Sequence, residues 1–148
     1  MNYKEVVEDF YAYLKSIDEE ITKTKISEDK WSLREIIGHL IDSASNNHQR
    51  FVRLQFSDLL DFPAYDGEEW IRVEKFNKIE WPLLASLWYS YNCLLINIID
   101  GIESNKMNNV WVKNEDEAIP LKELIHKYFV HLELHIEHFK KRLGELML

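Results

Sequence analysis

Three of the six histidines, His131, His135 and His138, fall within eight residues near the end of a 148-residue chain. In a helix, at about 100° per residue, positions i, i+4 and i+7 share one narrow stripe. That stripe runs on from Leu124 and Tyr128 and borders an apolar one made of Ile125, Leu132, Ile136 and Leu143. The histidines therefore sit at the edge of a core-facing surface, where helical bundles build their sites. His131 and His135 are one turn apart, which brings their Cβ atoms to roughly 5–6 Å. Two imidazoles at that spacing can converge on one ion at metal–nitrogen distances of about 2.0–2.1 Å. His131 and His138 lie two turns apart and diverge, so a third ligand is expected from another helix. His39 is the best candidate: it opens a polar stripe of His39, Ser43, Asn46 and Arg50 beside apolar Ile36, Leu40 and Phe51. Polar stripes flanking the core on two helices suggest a shared wet cavity. Three neutral imidazoles would leave a coordination position open, as catalytic sites do. Periodicity alone leaves a second reading open, a hydrogen-bonded histidine pair on a helix edge.

Other chemistry is sparse. No glutamate follows His131, and Glu133 and Glu137 point to the other side of the helix, so the pattern is not that of a zincin. His48 and His126 are expected to be solvated, and so is Arg53, while Arg50 could bind an anionic substrate. No glycine-rich nucleotide loop and no Ser/His/Asp set is present. The single cysteine, Cys93, forbids an internal disulfide framework, suits a reducing compartment and is expected in a buried packing role.

Four long stretches carry the helical period that must position these groups. The first covers about residues 3–20, with Val6, Phe10, Leu14, Ile17 and Ile21 three or four apart. The second starts at Ser32, a cap whose capping box needs Glu35 and whose staple would join Trp31 to Ile36; it should run to about residue 57. A third opens at Pro82 and should close at Asp100-Gly101, where glycine can take a left-handed C′ conformation. The fourth opens at Pro120 and reaches about residue 143, with Lys140, Lys141 and Arg142 near the negative end of its dipole. Residues 59–79 form a long aromatic-rich crossover containing Tyr65 and Trp70, which predicts a functional cover or a short helix of its own. Residues 108–119 leave room for a short hairpin around Val110-Trp111-Val112. The expected fold is all-α: one four-helix-bundle domain over 1–148 with a long crossover between helices 2 and 3.

Composition limits the function. The 18 basic and 26 acidic residues give a net charge of −8, and no basic stripe offsets it, which argues against nucleic-acid binding. With 46% hydrophobic and 13% aromatic residues the chain can bury a core. The apolar stretch 83–99 is broken by Ser86, Ser90, Asn92 and Asn97 and reads as a core helix, not a membrane span. The N-terminus is charged at once and lacks an export signal's apolar region, so a cytoplasmic protein is expected.

The run from Trp31 through His39 to Ala44 resembles the second-helix signature of the DinB/YfiT-like superfamily, and the run from Tyr128 to Phe139 resembles its last-helix signature. Pro63-Ala64-Tyr65-Asp66 with Trp70 is similar to the crossover of the YfiT-type branch. The resemblance covers nearly the whole chain in matching order. It implies an up-down-down-up bundle, frequent homodimers, and a divalent metal (zinc or nickel) held by His39, His131 and His135, with His138 lining the site. Two positions depart from the family pattern: Leu134 stands before His135 where paired histidines are frequent, and Trp88-Tyr89-Ser90 stands where a His-Arg pair is frequent.

Members of this branch include thiol S-transferases using low-molecular-weight thiols such as bacillithiol, and others are metal-dependent hydrolases. The resemblance thus implies a metal-dependent transferase joining a small-molecule thiol to an electrophile. Arg50 would hold an anionic group, Ser43 and Asn46 would line the pocket, and Tyr65 and Trp70 would cover it. The alternatives are a metal-dependent hydrolase and a non-catalytic metal-binding helical module.

Overall fold

The structure, a computed structural model, describes residues 2–148. Four long helices dominate it: α1 (Tyr3–Lys15), α2 (Leu33–Arg53), α4 (Trp81–Asp100) and α5 (Leu121–Leu146), with a short α3 (Gly67–Glu74) between α2 and α4. The fold is mostly helical but not purely α. Strands β1 (Leu59–Asp61), β2 (Val110–Asn114) and β3 (Glu117–Pro120) form a small sheet in that order, with β1 parallel to β2 and β2–β3 an antiparallel hairpin.

Local chemistry sets the helix starts. The Ser32 hydroxyl accepts from the Glu35 amide at 3.1 Å, and the Glu35 carboxylate accepts from the Ser32 amide at 2.9 Å, which completes the expected capping box. Asp66 caps α3 through the amides of Glu68 and Glu69. Some ends differ from expectation. The first helix stops at Lys15, and residues 19–23 form a separate 3-10 turn capped by Asp18. Gly101 closes α4 with φ −92°, a right-handed value, because its amide bonds back to Ile98. The last helix runs one turn beyond the basic cluster, so Arg142 is not a dipole partner; it is buried and donates to the Trp31 carbonyl.

Side-chain pairs fix the directions of the long helices. Trp81 Nε1 donates to the Leu14 carbonyl and Tyr89 donates to Glu8, so α1 and α4 are antiparallel. Tyr3 stacks on Phe129 and Phe10 meets Phe139 edge-on, so α1 and α5 are parallel. Arg34 donates to the Ile79 carbonyl just before α4, and His48 pairs with Tyr91 at 2.8 Å, so α2 and α4 are parallel. Phe51 contacts Tyr128 while His39 contacts His131, so α2 and α5 are antiparallel. The order is up, down, down, up. Two successive long helices that point the same way require the chain to travel back the length of the bundle between them. The crossover with β1 and α3 makes that return.

The core joins Phe10 and Leu14 of α1, Ile36, Leu40 and Phe51 of α2, Trp88 and Leu95 of α4, and Leu132 and Phe139 of α5. α4 is long and apolar enough to cross a membrane by length and composition, yet Trp81, Leu84, Ala85, Trp88 and Leu95 are buried in this core. Cys93 lies on the opposite side of α4 and is exposed, contrary to the packing role expected for it.

Gly38 lets the crossover close against α2. A Cβ there would stand 2.2 Å from Phe76 Cδ2, and Phe76 is itself buried. Gly38→Ala is therefore expected to destabilise by about 1–3 kcal/mol through overpacking, measured as a lower midpoint in urea. Gly144→Ala, where a Cβ meets nothing within 4 Å, should be neutral or mildly stabilising in the same helix-forming context.

Candidate metal centre

Helices α2 and α5 run antiparallel side by side, so a residue one-third along α2 faces the middle of α5. This places His39 opposite His131 and His135. The three ring centroids are 5.0 Å (His39–His131), 4.6 Å (His39–His135) and 4.5 Å (His131–His135) apart. One ligand atom from each lies within 4.8 Å of the others, and among the described residues no other group of three or more His, Cys, Asp or Glu gathers this way. His39 Nε2 and His131 Nε2 stand 3.1 Å apart. Two nitrogens of one tetrahedral ion, each about 2.0–2.1 Å from it, would be about 3.3–3.4 Å apart, so the spacing suits a shared cation with little movement.

The protonation state suits it too. Burial, followed by the neighbouring histidines, lowers the His39 pKa from 6.5 to about 3. The same causes bring His135 to about 4, and burial lowers His131. All three are neutral at pH 7, the form that ligates. The cluster is an all-imidazole donor set without a carboxylate, and the residues fit a borderline divalent cation such as zinc or nickel.

Behind the cluster, His138 lies with its Nδ1 3.3 Å from His135 Nδ1, so it does not face the cavity. Trp31 covers the same rear side, its ring centroid 4.8 Å from His39 and 6.3 Å from both His135 and His138. Gly67, the first residue of α3, presses on His39: a Cβ there would lie 3.0 Å from His39 Cε1 and 3.2 Å from the buried, unpartnered Nδ1. Neither Trp31 nor Gly67 stands out as a site residue in the sequence: Trp31 lies just before α2, and Gly67 reaches His39 only through the folding-back of the crossover.

In front, His39 and His131 form one wall of a cavity of about 390 Å³. Ser43, Arg50 and Tyr65 line it. Burial, partly offset by Ser43 and Arg50, raises the Tyr65 hydroxyl above its ordinary value. The hairpin adds Trp111, Lys113 and Glu117, and α5 adds Lys127 and Tyr128. Tyr128 is held by a 2.6 Å bond to Asn92 on α4. Asn46 and Trp70 do not line this cavity. They face a neighbouring depression on the other side of Tyr65, with Asn46 Nδ2 turned to the Asp42 carbonyl. Of the two histidines expected in solvent, His126 is exposed, but His48 is half-buried and bonded to Tyr91. Arg53 is exposed and lies over the Phe62 ring.

One group was not visible in the sequence at all. Asp42, one turn beyond His39 and 2% exposed, meets Glu74 at the end of α3. Burial, then the hydrogen bond and charge of Glu74, pushes the Asp42 carboxyl up to about 9. Asp42 therefore keeps its proton at neutral pH, and its contact with Glu74 links α2 to α3.

Comparison with known proteins agrees with this architecture. No family model matches the chain. A protein from Oceanobacillus iheyensis named "putative metal-dependent hydrolase" is 22% identical over 152 residues, covering 93% of this chain and 87% of that protein. A protein of the same name from Halalkalibacterium halodurans is 25% identical over 137 residues, covering 90% and 77%. Among solved structures, YfiT from Bacillus subtilis, described as "a probable metal-dependent hydrolase with an unusual four-helix bundle topology", superposes with a TM-score of 0.71 at 20% identity, over 96% of this chain and 86% of that one. The chain has a YfiT-like fold over 96% of its length.

Proposed function

We propose that this protein is a metal-dependent enzyme acting on a small molecule, with His39, His131 and His135 holding a divalent cation at the wall of the 390 Å³ cavity. The observation that carries this reading is the convergence of three neutral, largely buried imidazoles from two helices beside a cavity open to substrate. A zinc or nickel ion with a vacant position, when bound there, lowers the pKa of a thiol or water placed on it, so that a nucleophilic anion exists at neutral pH.

The chain's own residues supply the rest. Trp31 packs against the rear of the cluster, and the cavity reaches His39 and His131 from the front. His135 would offer Nε2 to the cation, leaving its Nδ1–H to donate to His138 Nδ1 and fix the ring. The one carboxylate that lines the cavity, Glu117, is on the hairpin and paired with Lys113 at 3.9 Å. Hydrolysis ordinarily calls for a positioned base to manage the attacking water's proton, whereas a thiol with a lowered pKa releases its proton to solvent. That difference supports thiol transfer: the S–H proton leaves to solvent, a carbon–sulfur bond forms at the electrophile, and the leaving group departs with its electron pair. Hydrolysis is the second reading, favoured by the names of both relatives and the description of YfiT.

Elemental analysis of protein purified without a histidine tag, followed by assay of metal-loaded and chelator-treated samples, tests the proposal. A panel of cysteine-derived thiols with chlorodinitrobenzene should give metal-dependent thioether formation. Metal-dependent cleavage of activated esters without thiol transfer would establish the second reading, and no bound metal would remove both. His138→Ala should weaken metal binding about 10–100-fold, the usual cost of losing an outer partner. His138→Asn should recover most of it, because its Oδ1 can accept the same bond.

A further inference from the structure

We propose that Arg50 is the anchor for a carboxylate group of the substrate, placed at the end of the cavity remote from the histidines. The proposal deepens the functional reading, since it takes this cavity as the substrate pocket. Arg50 is 6% exposed and its Nε is buried without a hydrogen-bond partner. Among the described residues no carboxylate lies within 4.0 Å of its guanidinium. A buried arginine without a counterion is costly, and every other charged group lining this cavity has a partner: Lys113 with Glu117 at 3.9 Å, and Lys127 with Glu123 at 3.7 Å.

The guanidinium is also oriented. Its Cζ lies over the Trp111 ring, 3.9 Å from the centroid, and the Trp111 indole is itself fixed by a 2.8 Å bond to the Phe62 carbonyl. With Cζ over the indole and Nε without a hydrogen-bond partner, the fork of N–H donors is free for an acceptor. A carboxylate matches that fork with two parallel bonds. One uncompensated positive charge calls for one negative charge, which favours a carboxylate over a phosphate dianion.

Arg50 and His39 are eleven residues apart on α2, three turns, so both point from the same face at an axial separation of about 16 Å. Arginine side chains lean back toward the helix N-terminus and shorten that gap. The substrate is therefore extended, with its carboxylate several bonds from the reacting atom, and binding at Arg50 positions that atom. Either the thiol or the electrophile can carry the group.

The test is made on metal-free protein, so that it does not depend on the metal reading. Hexanoate and its neutral amide, hexanamide, are titrated by calorimetry and by NMR of the Trp111 indole N–H. Hexanoate should bind about tenfold or more tightly than hexanamide. Arg50→Met should lose that preference while raising the melting temperature, since it removes an unpaired buried charge. Arg50→Lys, which keeps the charge without the fork, should bind hexanoate several-fold more weakly than wild type. His126→Ala, on the exposed face of α5 and outside the cavity, should leave hexanoate binding unchanged. Equal binding of acid and amide, no binding of either, or full hexanoate binding by Arg50→Met overturns the proposal whatever the metal content proves to be. In the loaded enzyme, paired assays with acid and amide forms of first the thiol and then the electrophile identify which reactant occupies Arg50.

Discussion

Alanine at position 131 is expected to abolish metal-dependent stabilisation of this protein. Wild-type protein with metal at about 100 times its dissociation constant should gain about 2.7 kcal/mol, read as a rise in melting temperature of roughly 5–10 °C for a chain of this size. His131 supplies one of only three imidazoles, so His131→Ala leaves two nitrogens and no carboxylate to replace the lost one. The loss should exceed the about 10–100-fold caused by removing an outer partner such as His138. His39→Ala and His135→Ala should behave alike, because each removes one of the three mutually close rings. His126→Ala, on the exposed face of the same helix as His131, should retain both metal content and the thermal shift. Full metal content in the His39 and His131 variants would remove the ligand assignment.

Why the cluster could be read from the chain, and the cavity only in part, follows from how local each interaction is. His131 and His135 share a helix, so their neighbourhood is a matter of period alone, and the Ser32–Glu35 box is settled within four residues. His39 needed one further step, that polar stripes on two amphipathic helices meet. The hairpin wall is different. Trp111 reaches Arg50 because β2 pairs in parallel with β1, fifty-one residues earlier at Leu59↔Val110, and such a pairing leaves no periodic trace in a strand of three residues. The same crossover brings Gly67 onto His39 and Phe76 onto Gly38. Cys93 illustrates the opposite error. α4 is apolar nearly all round, so hydropathy could not tell its core side from the outer side where Leu83, Leu87 and Leu94 are exposed.

Asp42 reads in sequence as one more polar residue of α2, but it should dominate the alkaline response of the fold. Its carboxyl is raised from 3.8 to about 9, so between those values the folded chain keeps a proton that the unfolded chain releases. The stability tied to that proton is complete below the unfolded pKa and is lost as pH rises through the folded one, with a slope approaching about 1.4 kcal/mol per pH unit. His39 and His135 act with the opposite sign in metal-free protein. Their folded values, about 3 and about 4, lie below the ordinary 6.5, so their contribution is present above 6.5 and is lost as pH falls. Two histidines outweigh one carboxyl on the acid side, which places the stability maximum of the metal-free protein near pH 6.5. From there to pH 8.5 urea denaturation should show a loss of about 2 kcal/mol. Asp42→Asn should flatten that limb: its amide can donate to Glu74 in place of the carboxyl proton, and no carboxyl remains at 42 to ionise on unfolding. The variant and wild type should then diverge steadily above pH 6.5, with the variant more stable at pH 8.5. A wild-type limb that is already level, or one that survives the substitution, would show that α3 is not held to α2 by a proton between these two carboxyls.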